Sequence, residues 1–310
     1  LKAALEENPS NKEALTRMWF CVEHARKYEQ GVELHRAILE EDPFNSLAWY
    51  NLGAAHHYLC NHEEAIEAYE YAFLTNEHFE FAYRDCAEVC MYLQDFQKAL
   101  QCYQDVLERF EPDADLFLHI GECYFRLNNY LVARTFYEKA LHFDRYSSEA
   151  HFQIGQCFAK QKSWQKAISF YLKAIRIEDC HELYHAGLAE AYCQVGDYKK
   201  AEIYFREAAD TAPEEALHWN RLAKFLMERN RQEEALDLLE EAEEYCYDPE
   251  LLYFRSACLF SLDRKKEALL ALEDALTEDF DSKDSLFNLL PVLENDQEVK
   301  AVIAVYQPEN

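Results

Sequence analysis

The sequence repeats a unit of 34 residues, and one clear copy at 46–79 reads SLAWYNLGAAHHYLCNHEEAIEAYEYAFLTNEHF. Two apolar stripes with the spacing of an α-helix run through this copy, and a polar turn separates them. The first stripe is marked by Trp49, Leu52 and Gly53. The second stripe is marked by the small residue Ala65 and by Tyr69. Each copy of the unit therefore predicts a pair of helices.

The same markers recur along almost the whole chain when the sequence is read in steps of 34 residues. Small residues such as Gly121 recur where two helices must approach closely, and aromatic residues such as Tyr137 recur where space between repeats must be filled. In the first repeat, Trp19 replaces the small residue. The repeats are predicted at 12–45, 46–79, 80–113, 114–147, 148–181, 182–215, 216–249 and 250–282.

The period and the order W-x2-L-G…A-x3-Y-x2-A closely resemble the tetratricopeptide repeat. This resemblance implies an all-α fold, namely a right-handed superhelical solenoid of antiparallel helix pairs. Residues 1–11 match the tail of a preceding repeat, and residues 283–310 form two further apolar stripes that predict a degenerate hairpin capping the array. Because the chain begins within a repeat, we expect it to be a fragment of a longer array.

Composition narrows the classes of partner. The formal net charge is −28, from 59 acidic and 31 basic residues. Such a surface repels phosphate backbones and anionic lipids, so neither nucleic acid nor a membrane is expected as a partner. The excess of acid either attracts a basic partner or only keeps the array soluble.

The cysteines and the hydropathy indicate the compartment. The eleven cysteines are scattered through helical segments without a CxxC pair, as in a reduced cytoplasmic protein. No segment approaches the ~18 consecutive apolar residues of a membrane span.

The resemblance also implies where a partner binds. In tetratricopeptide repeat proteins the first helices line a concave groove, and the second, fifth, ninth, twelfth and thirteenth repeat positions point into it. In this chain that face carries more aromatic residues than an exposed helix face needs, which indicates either a contact site or packing between neighbouring first helices. The candidate groove residues are Phe20, His24, Tyr50, His57, Tyr58, Phe81, Arg84, Glu88, Tyr92, Leu118, Glu122, Phe125, Arg126, Phe152, Lys160, Glu190 and Lys224.

The composition of this groove suits an extended or helical peptide with apolar anchors and mixed charge. Some chaperone-binding members of the family clamp a terminal carboxylate with Lys and Asn side chains. Here Glu88, Glu122 and Glu190 hold the ninth repeat position, where acids would repel such a carboxylate. The sequence therefore argues against that kind of clamp.

The sequence predicts neither a catalytic site nor a metal or cofactor site. His181 and His185 are four residues apart with Cys180 beside them, but His185 is a packing position, and the adjacent His56 and His57 diverge on a helix. Cys86 and Cys90 hold core marker positions, and neither a Gly-x-Ser-x-Gly motif nor a Gly-rich phosphate loop occurs. We therefore expect no catalytic residue, cofactor or metal.

Three functions remain open at this point. The first is a non-enzymatic scaffold or adaptor that binds a protein or peptide. The second is a chaperone-like carrier that shields an apolar segment of one client, and the third is the regulatory domain of an enzyme whose catalytic part lies outside this chain. Self-association through the ends of the array is also open, because a solenoid exposes apolar surface where it is cut.

Overall fold

The computed structural model describes residue 8 and residues 11–307, and this part of the chain is built from α-helices without a β-strand. The predicted repeat tail at 1–11 lies almost entirely outside the described residues. Contacts divide the chain into two compact units, Leu1–Cys157 and Phe158–Asn310, called here the N-terminal and C-terminal units. The division falls within the helix Ser148–Lys160.

The helices come in pairs that follow the sequence repeat. The first nine are α1 (Lys12–Ala25), α2 (Tyr28–Glu41), α3 (Ser46–Tyr58), α4 (His62–Thr75), α5 (Glu80–Tyr92), α6 (Phe96–Arg109), α7 (Ala114–Arg126), α8 (Tyr130–Phe143) and α9 (Ser148–Lys160). The next seven are α10 (Trp164–Ile177), α11 (Glu182–Val195), α12 (Tyr198–Thr211), α13 (Ala216–Met227), α14 (Gln232–Ala242), α15 (Pro249–Ser261) and α16 (Lys265–Glu278). Consecutive helices pack against one another, as α3 does with α4 and α15 with α16. The prediction of an all-α array of helix pairs is confirmed.

Every turn within a helix pair contains one residue in the left-handed conformation. These residues are Arg26, Cys60, Gln94, Asn128, Lys162, Gly196, Asn230 and Asp263. Seven of the eight carry a side chain, although this conformation costs about 1–2 kcal/mol for an L-residue. The left-handed residue lets the chain reverse direction in a short turn, so only two to four residues separate the two helices of a pair.

Side-chain caps fix the starts of several helices. The carbonyl oxygen of the Asn45 side chain accepts a hydrogen bond from the Ala48 amide at 3.0 Å, and Asp113 accepts one from the Leu116 amide at 2.7 Å. Each cap satisfies a backbone donor that has no partner inside its helix. Asp113 lies directly between α6 and α7, so its cap also marks the boundary between two repeats.

Glycines at the helix crossings are matched to the rings beside them. A Cβ atom on Gly121 would lie 2.5 Å from Cε1 of Tyr137, and one on Gly53 would lie 2.7 Å from Cδ1 of Tyr69. In the first repeat the large and the small residue exchange positions. Trp19 takes the glycine position, and the smaller His35 takes the position of the tyrosine, with 6.4 Å between the two ring centroids. The bulk of Trp19 is thus accommodated by a smaller partner.

The last segment ends in shorter helices. They are α17 (Asp284–Leu289), a 3-10 helix at Pro291–Asn295 and α18 (Gln297–Tyr306). Leu286, Leu293 and Val299 are buried in a cluster with residues of α15 and α16. Proline at 291 has no amide hydrogen, so α17 stops at Leu289 and a 3-10 helix takes over.

Candidate functional site

The first helices of the N-terminal repeats lie side by side. The Tyr58 hydroxyl of α3 donates to Glu23 of α1 at 3.0 Å, and the Tyr50 hydroxyl of α3 donates to Asp85 of α5 at 2.7 Å. The sulfur of Cys123 in α7 lies 3.4 Å from that of Met91 in α5. Helices α1, α3, α5 and α7 therefore form one surface of the N-terminal unit, which we call the first-helix face.

The candidate groove residues differ widely in exposure. The exposed ones are Phe20, His24, Tyr58, Phe81, Glu88, Tyr92, Arg126, Lys160, Glu190 and Lys224. The half-buried ones are Tyr50, His57, Arg84, Leu118, Glu122 and Phe125. The exposed rings are large surfaces, since Phe81 is 65 % and Tyr92 is 69 % exposed.

Phe152 does not fit the expectation for the groove. It is only 8 % exposed, so for this residue the structure favours packing between helices, one of the two interpretations that the sequence left open. Phe152 holds the fifth position of its repeat. Tyr50 holds the same position in the second repeat, and its contacts show where a side chain at this position lies. The Tyr50 ring packs 4.9 Å from the Phe79 ring, and its hydroxyl reaches Asp85 of the next first helix. The fifth position thus points to the flank of a first helix, where side chains pack.

A cavity of about 250 Å³ opens on the first-helix face between α1, α3 and α5. We call it the acidic pocket, and its lining residues are Trp19, Glu23, Tyr50, Ala54, His57, Tyr58, Tyr69, Asp85, Glu88 and Val89. It brings together four of the predicted groove residues, namely Tyr50, His57, Tyr58 and Glu88. Three carboxylates and three tyrosine rings therefore share one small space.

The tyrosines hold the pocket carboxylates in place. Tyr58 stacks on Tyr28 with 4.6 Å between ring centroids, which fixes the hydroxyl that donates to Glu23. Tyr50 is wedged between Phe79 and Tyr69, and its hydroxyl donates to Asp85. Each of these bonds occupies one acceptor of a carboxylate and leaves the others available.

The pocket disfavours the accumulation of negative charge. Burial raises the pKa of the Asp85 carboxyl, against the opposing effects of the Tyr50 hydrogen bond and of His57. Glu88 is exposed as a residue, but partial burial of its carboxyl and then the charge of Asp85 raise the pKa of that carboxyl, against the opposing effect of Arg84. Burial, followed by nearby His62, lowers the pKa of the His57 imidazole, which disfavours a positive charge on this side chain. A cation brought to the pocket would relieve these costs.

Six lining residues were missed as site residues by the sequence reasoning, namely Trp19, Glu23, Ala54, Tyr69, Asp85 and Val89. Trp19 and Tyr69 are packing markers of their repeats, and Asp85 holds a repeat position that was not assigned to the groove. Glu23 holds a groove position, but it was not selected as a candidate. The available signal was Trp19 itself, because a tryptophan at a position that otherwise holds small residues must displace its neighbours.

The basic residues of the first-helix face are already engaged. Arg84 binds Glu80 of its own helix at 2.8 Å and Asp113 at 2.9 Å. Arg126 lies 3.5 Å from Glu122 and 4.9 Å from the centroid of the Phe96 ring. Neither guanidinium lines the acidic pocket or pairs with one of its carboxylates, although the charge of Arg84 acts on Glu88 and opposes the rise of its pKa.

The C-terminal unit carries the remaining candidate residues. Glu190 of α11 is 3.8 Å from Arg221 of α13, while Lys160 and Lys224 are exposed. The neighbouring first helices α13 and α15 are linked by a hydrogen bond of 3.0 Å from Asn220 to Glu250. The first helices therefore line up in this unit as well.

The residues considered for metal binding are placed separately. The Nε2 atom of His185 lies 2.8 Å from the Asp179 carbonyl oxygen, whereas the ring of His181 stacks on Tyr184. Within residues 11–307, no group of three or more His, Cys, Asp or Glu side chains is arranged to hold a metal ion. Cys86 and Cys102 lie 3.9 Å apart in the core as free thiols.

Helices long and apolar enough to cross a bilayer do not occur in the described part of the chain.

Three family models match the sequence. Residues 46–79 and 87–149 each match a tetratricopeptide repeat model. Residues 150–248 match the model of the fourth ARM domain of tetratricopeptide repeat protein 21. No curated protein matches the chain significantly over its sequence.

Solved structures with the same fold include three with substantial coverage. A tetratricopeptide repeat protein from Parabacteroides merdae is 18 % identical, with a TM-score of 0.62 over 78 % of this chain and 96 % of that one. The C-terminal part of a repeat-containing protein from Cytophaga hutchinsonii is 16 % identical, with a TM-score of 0.55 over 92 % of this chain and 98 % of that one. A chain of the APC/C hetero-tetramer Cut9–Hcn1 is 16 % identical, with a TM-score of 0.55 over 86 % of this chain and 50 % of that one. At these identities the likeness concerns the fold.

Proposed function

Because the chain is a tetratricopeptide repeat protein, we propose that it is a non-enzymatic scaffold that binds a segment of another protein on its first-helix face. The tetratricopeptide repeat fold supports protein-interaction scaffolds in general, and its members are generally non-catalytic. The finer proposal, that the first-helix face is the binding surface, rests on the side chains of this chain.

The exposed rings of the first-helix face are the observation that carries the proposal. Phe20, Phe81, Tyr92 and Tyr58 all expose large apolar area on neighbouring first helices. Clusters of exposed apolar side chains on a soluble protein mark contact surfaces, and tyrosine is enriched among the residues that dominate binding energy. A bound segment would cover rings that the packing of the repeats leaves in water.

The partner segment that suits this face carries apolar anchors and positive charge. The anchors would cover the exposed rings, and positive charge would complement a chain with a net charge of −28. A cytoplasmic, reducing compartment suits the eleven cysteines, all of which are free.

The test is a selection of random twelve-residue peptides on the chain, followed by affinity measurement with fluorescently labelled peptides. The face variant is Phe20→Ala, Phe81→Ala and Tyr92→Ala. The control variant is Phe44→Ala, Phe143→Ala and Tyr146→Ala, which removes three exposed rings from turns and second helices. We expect the face variant to lose at least tenfold in affinity and the control variant to bind as the parent does. Equal affinities for the two variants would contradict the proposal.

The same exposed rings would also suit a chaperone-like carrier of one client. The two functions differ in the state of the partner. A carrier's client is unstable or aggregates without the chain, whereas a scaffold's partner is folded and soluble alone. Light scattering of the partner with and without the chain separates the two.

A further inference from the structure

We propose that the acidic pocket receives the cationic side chain of a lysine or arginine in the bound segment. The inference rests on the proposed function and adds the chemistry of one specificity position. The pocket lies on the first-helix face between α1, α3 and α5, and Tyr58, one of the exposed rings of that face, forms part of its lining. A segment that covers those rings could therefore place one side chain into it.

The pocket carboxylates are not neutralised by the protein itself. In the part of the chain that the structure describes, neither Glu23, Asp85 nor Glu88 forms an ion pair with a basic side chain. Other acids on first helices differ in this respect, because Glu122 has Arg126 at 3.5 Å and Glu190 has Arg221 at 3.8 Å. The pocket thus holds three carboxylates and lacks the counter-charge present elsewhere along the array.

Aromatic walls complete the recognition of a cation. Trp19, Tyr50 and Tyr58 line the same cavity as the carboxylates, and the Trp19 and Tyr58 ring centroids are 6.3 Å apart. Ring faces attract ammonium and guanidinium groups and accept the apolar stem of a lysine or arginine. Carboxylates held by tyrosine hydroxyls are pre-organised, so little side-chain freedom is lost on binding.

The Tyr69 hydroxyl gives an independent indication of a ligand. Tyr69 lines the pocket, yet its side chain is only 2 % exposed, and among the described residues its hydroxyl has no hydrogen-bond partner. In the fourth repeat the equivalent hydroxyl, that of Tyr137, donates to Glu122 at 3.2 Å. The residue of the second repeat that corresponds to Glu122 is Ala54, whose small side chain leaves open space in the pocket that Tyr69 also lines. A guanidinium or ammonium group in that space would donate to the Tyr69 oxygen.

The volume of the pocket fits one side chain. Sites for drug-sized ligands occupy about 300–1,000 Å³, and the acidic pocket has about 250 Å³. Arginine can bond two acceptors in parallel, and Asp85 and Glu88 are one helical turn apart on α5. Arginine and lysine share the charge, and the test below compares them.

The test is an NMR titration of the intact chain with N-acetyl-arginine amide, N-acetyl-lysine amide and N-acetyl-citrulline amide. Citrulline has nearly the shape of arginine without its charge. Trp19 lines the pocket, and the other three tryptophans provide internal references. We expect the Trp19 indole signal to shift saturably with arginine or lysine amide and not with citrulline amide. A shift of equal size with citrulline amide, or no shift with any probe, would overturn the proposal.

Two variants connect the signal to the pocket. Asp85→Asn together with Glu88→Gln should weaken binding of the cationic probe at least fivefold. The matched control is Glu63→Gln together with Glu67→Gln, which also removes two carboxylates, on exposed residues of α4 that do not line the pocket, and should leave binding unchanged. If both variants bind the probe equally well, the pocket is not its site.

The selected peptides separate this inference from the proposed function. If neutral glutamine in place of every lysine and arginine leaves peptide affinity intact while the face variant still loses it, the pocket inference fails and the scaffold function stands. If the face variant binds peptides as the parent does, the proposed function fails. In that case the amide titration still decides whether the pocket takes a cation.

Discussion

Replacing Gly121 with alanine should destabilise the N-terminal unit, because the new methyl group would occupy space that the Tyr137 ring fills. The Cβ atom would lie 2.5 Å from Cε1, 2.7 Å from Cδ1 and 3.0 Å from Cζ of that ring. Carbon atoms pack at about 3.5–4.0 Å, so the overlap is at least about 1 Å at the nearest ring atom and at least about 0.5 Å at the other two. Tyr137 is fully buried, and its hydroxyl is bonded to Glu122, so the ring has little freedom to retreat.

Two opposing effects determine how much the Gly121→Ala substitution lowers the free energy of unfolding. Overpacking of a buried site costs about 1–3 kcal/mol. Alanine is also a better helix former than glycine, which returns about 1 kcal/mol. Because three ring atoms lie within 3.0 Å of the new methyl group, we expect an overpacking cost in the upper part of that range, about 2–3 kcal/mol. The expected net loss in the free energy of unfolding is then about 1–2 kcal/mol.

The assay is urea denaturation followed by circular dichroism, with the double variant Gly121→Ala, Tyr137→Leu as the control. In the seventh repeat Ala223 and Leu239 hold these two positions and are both fully buried, so the smaller leucine should tolerate the methyl group. The double variant should therefore lose less than the sum of the two single variants. A Gly121→Ala variant as stable as the parent would refute the reasoning about the crossing.

Further predictions concern the turns, the caps and the buried histidine. Gly196→Ala should lower the free energy of unfolding by about 1 kcal/mol, because the residue has a φ of +80° although the space around it is open. Gln94→Gly should not destabilise its turn, because glycine adopts a positive φ without strain. Thermal unfolding measures both effects. Asp113→Ala should cost about 1–2 kcal/mol because it removes the cap on Leu116 and the bond to Arg84, and Asp113→Asn should recover part of the loss in the same assay. Burial lowers the pKa of His35 from 6.5 to about 4. The contribution of neutral His35 to stability is therefore complete above pH 6.5, and about 3 kcal/mol is lost as the pH falls towards 4. His35→Leu should remove this part of the pH dependence. Unfolding curves at pH 7 and pH 4.5 measure the difference.

The repeat pattern carried most of the information about the fold. The spacing of Gly53, Ala65 and Tyr69 requires two crossed helices, and the structure places α3 and α4 on those residues. The predictions of an all-α fold and of tetratricopeptide repeats are confirmed. They could be made from the sequence because the same packing residues recur in every repeat. Exceptions at single residues were harder to predict. The large ring of Trp19 fits only because the facing residue on a different helix, His35, is small.

The site was only partly accessible from the sequence. Repeat positions identified the exposed rings of Phe81 and Tyr92, because the face of a first helix is a local property. They could not show that Phe152 is buried or that Asp85 turns towards Tyr50, because both depend on the neighbouring repeat. The pocket is lined by residues of four helices, so it could be identified only once the distances between those helices were known.

The most direct test of the binding surface is photo-crosslinking with a selected peptide. A photoreactive phenylalanine is placed at Tyr92 of the first-helix face in one variant and at Tyr146, in the turn after α8, in another. Both side chains are well exposed, so neither replacement should disturb the fold. We predict a crosslink to the peptide from position 92 and none from position 146. A crosslink from position 146 alone would show that the partner binds elsewhere and would contradict the account.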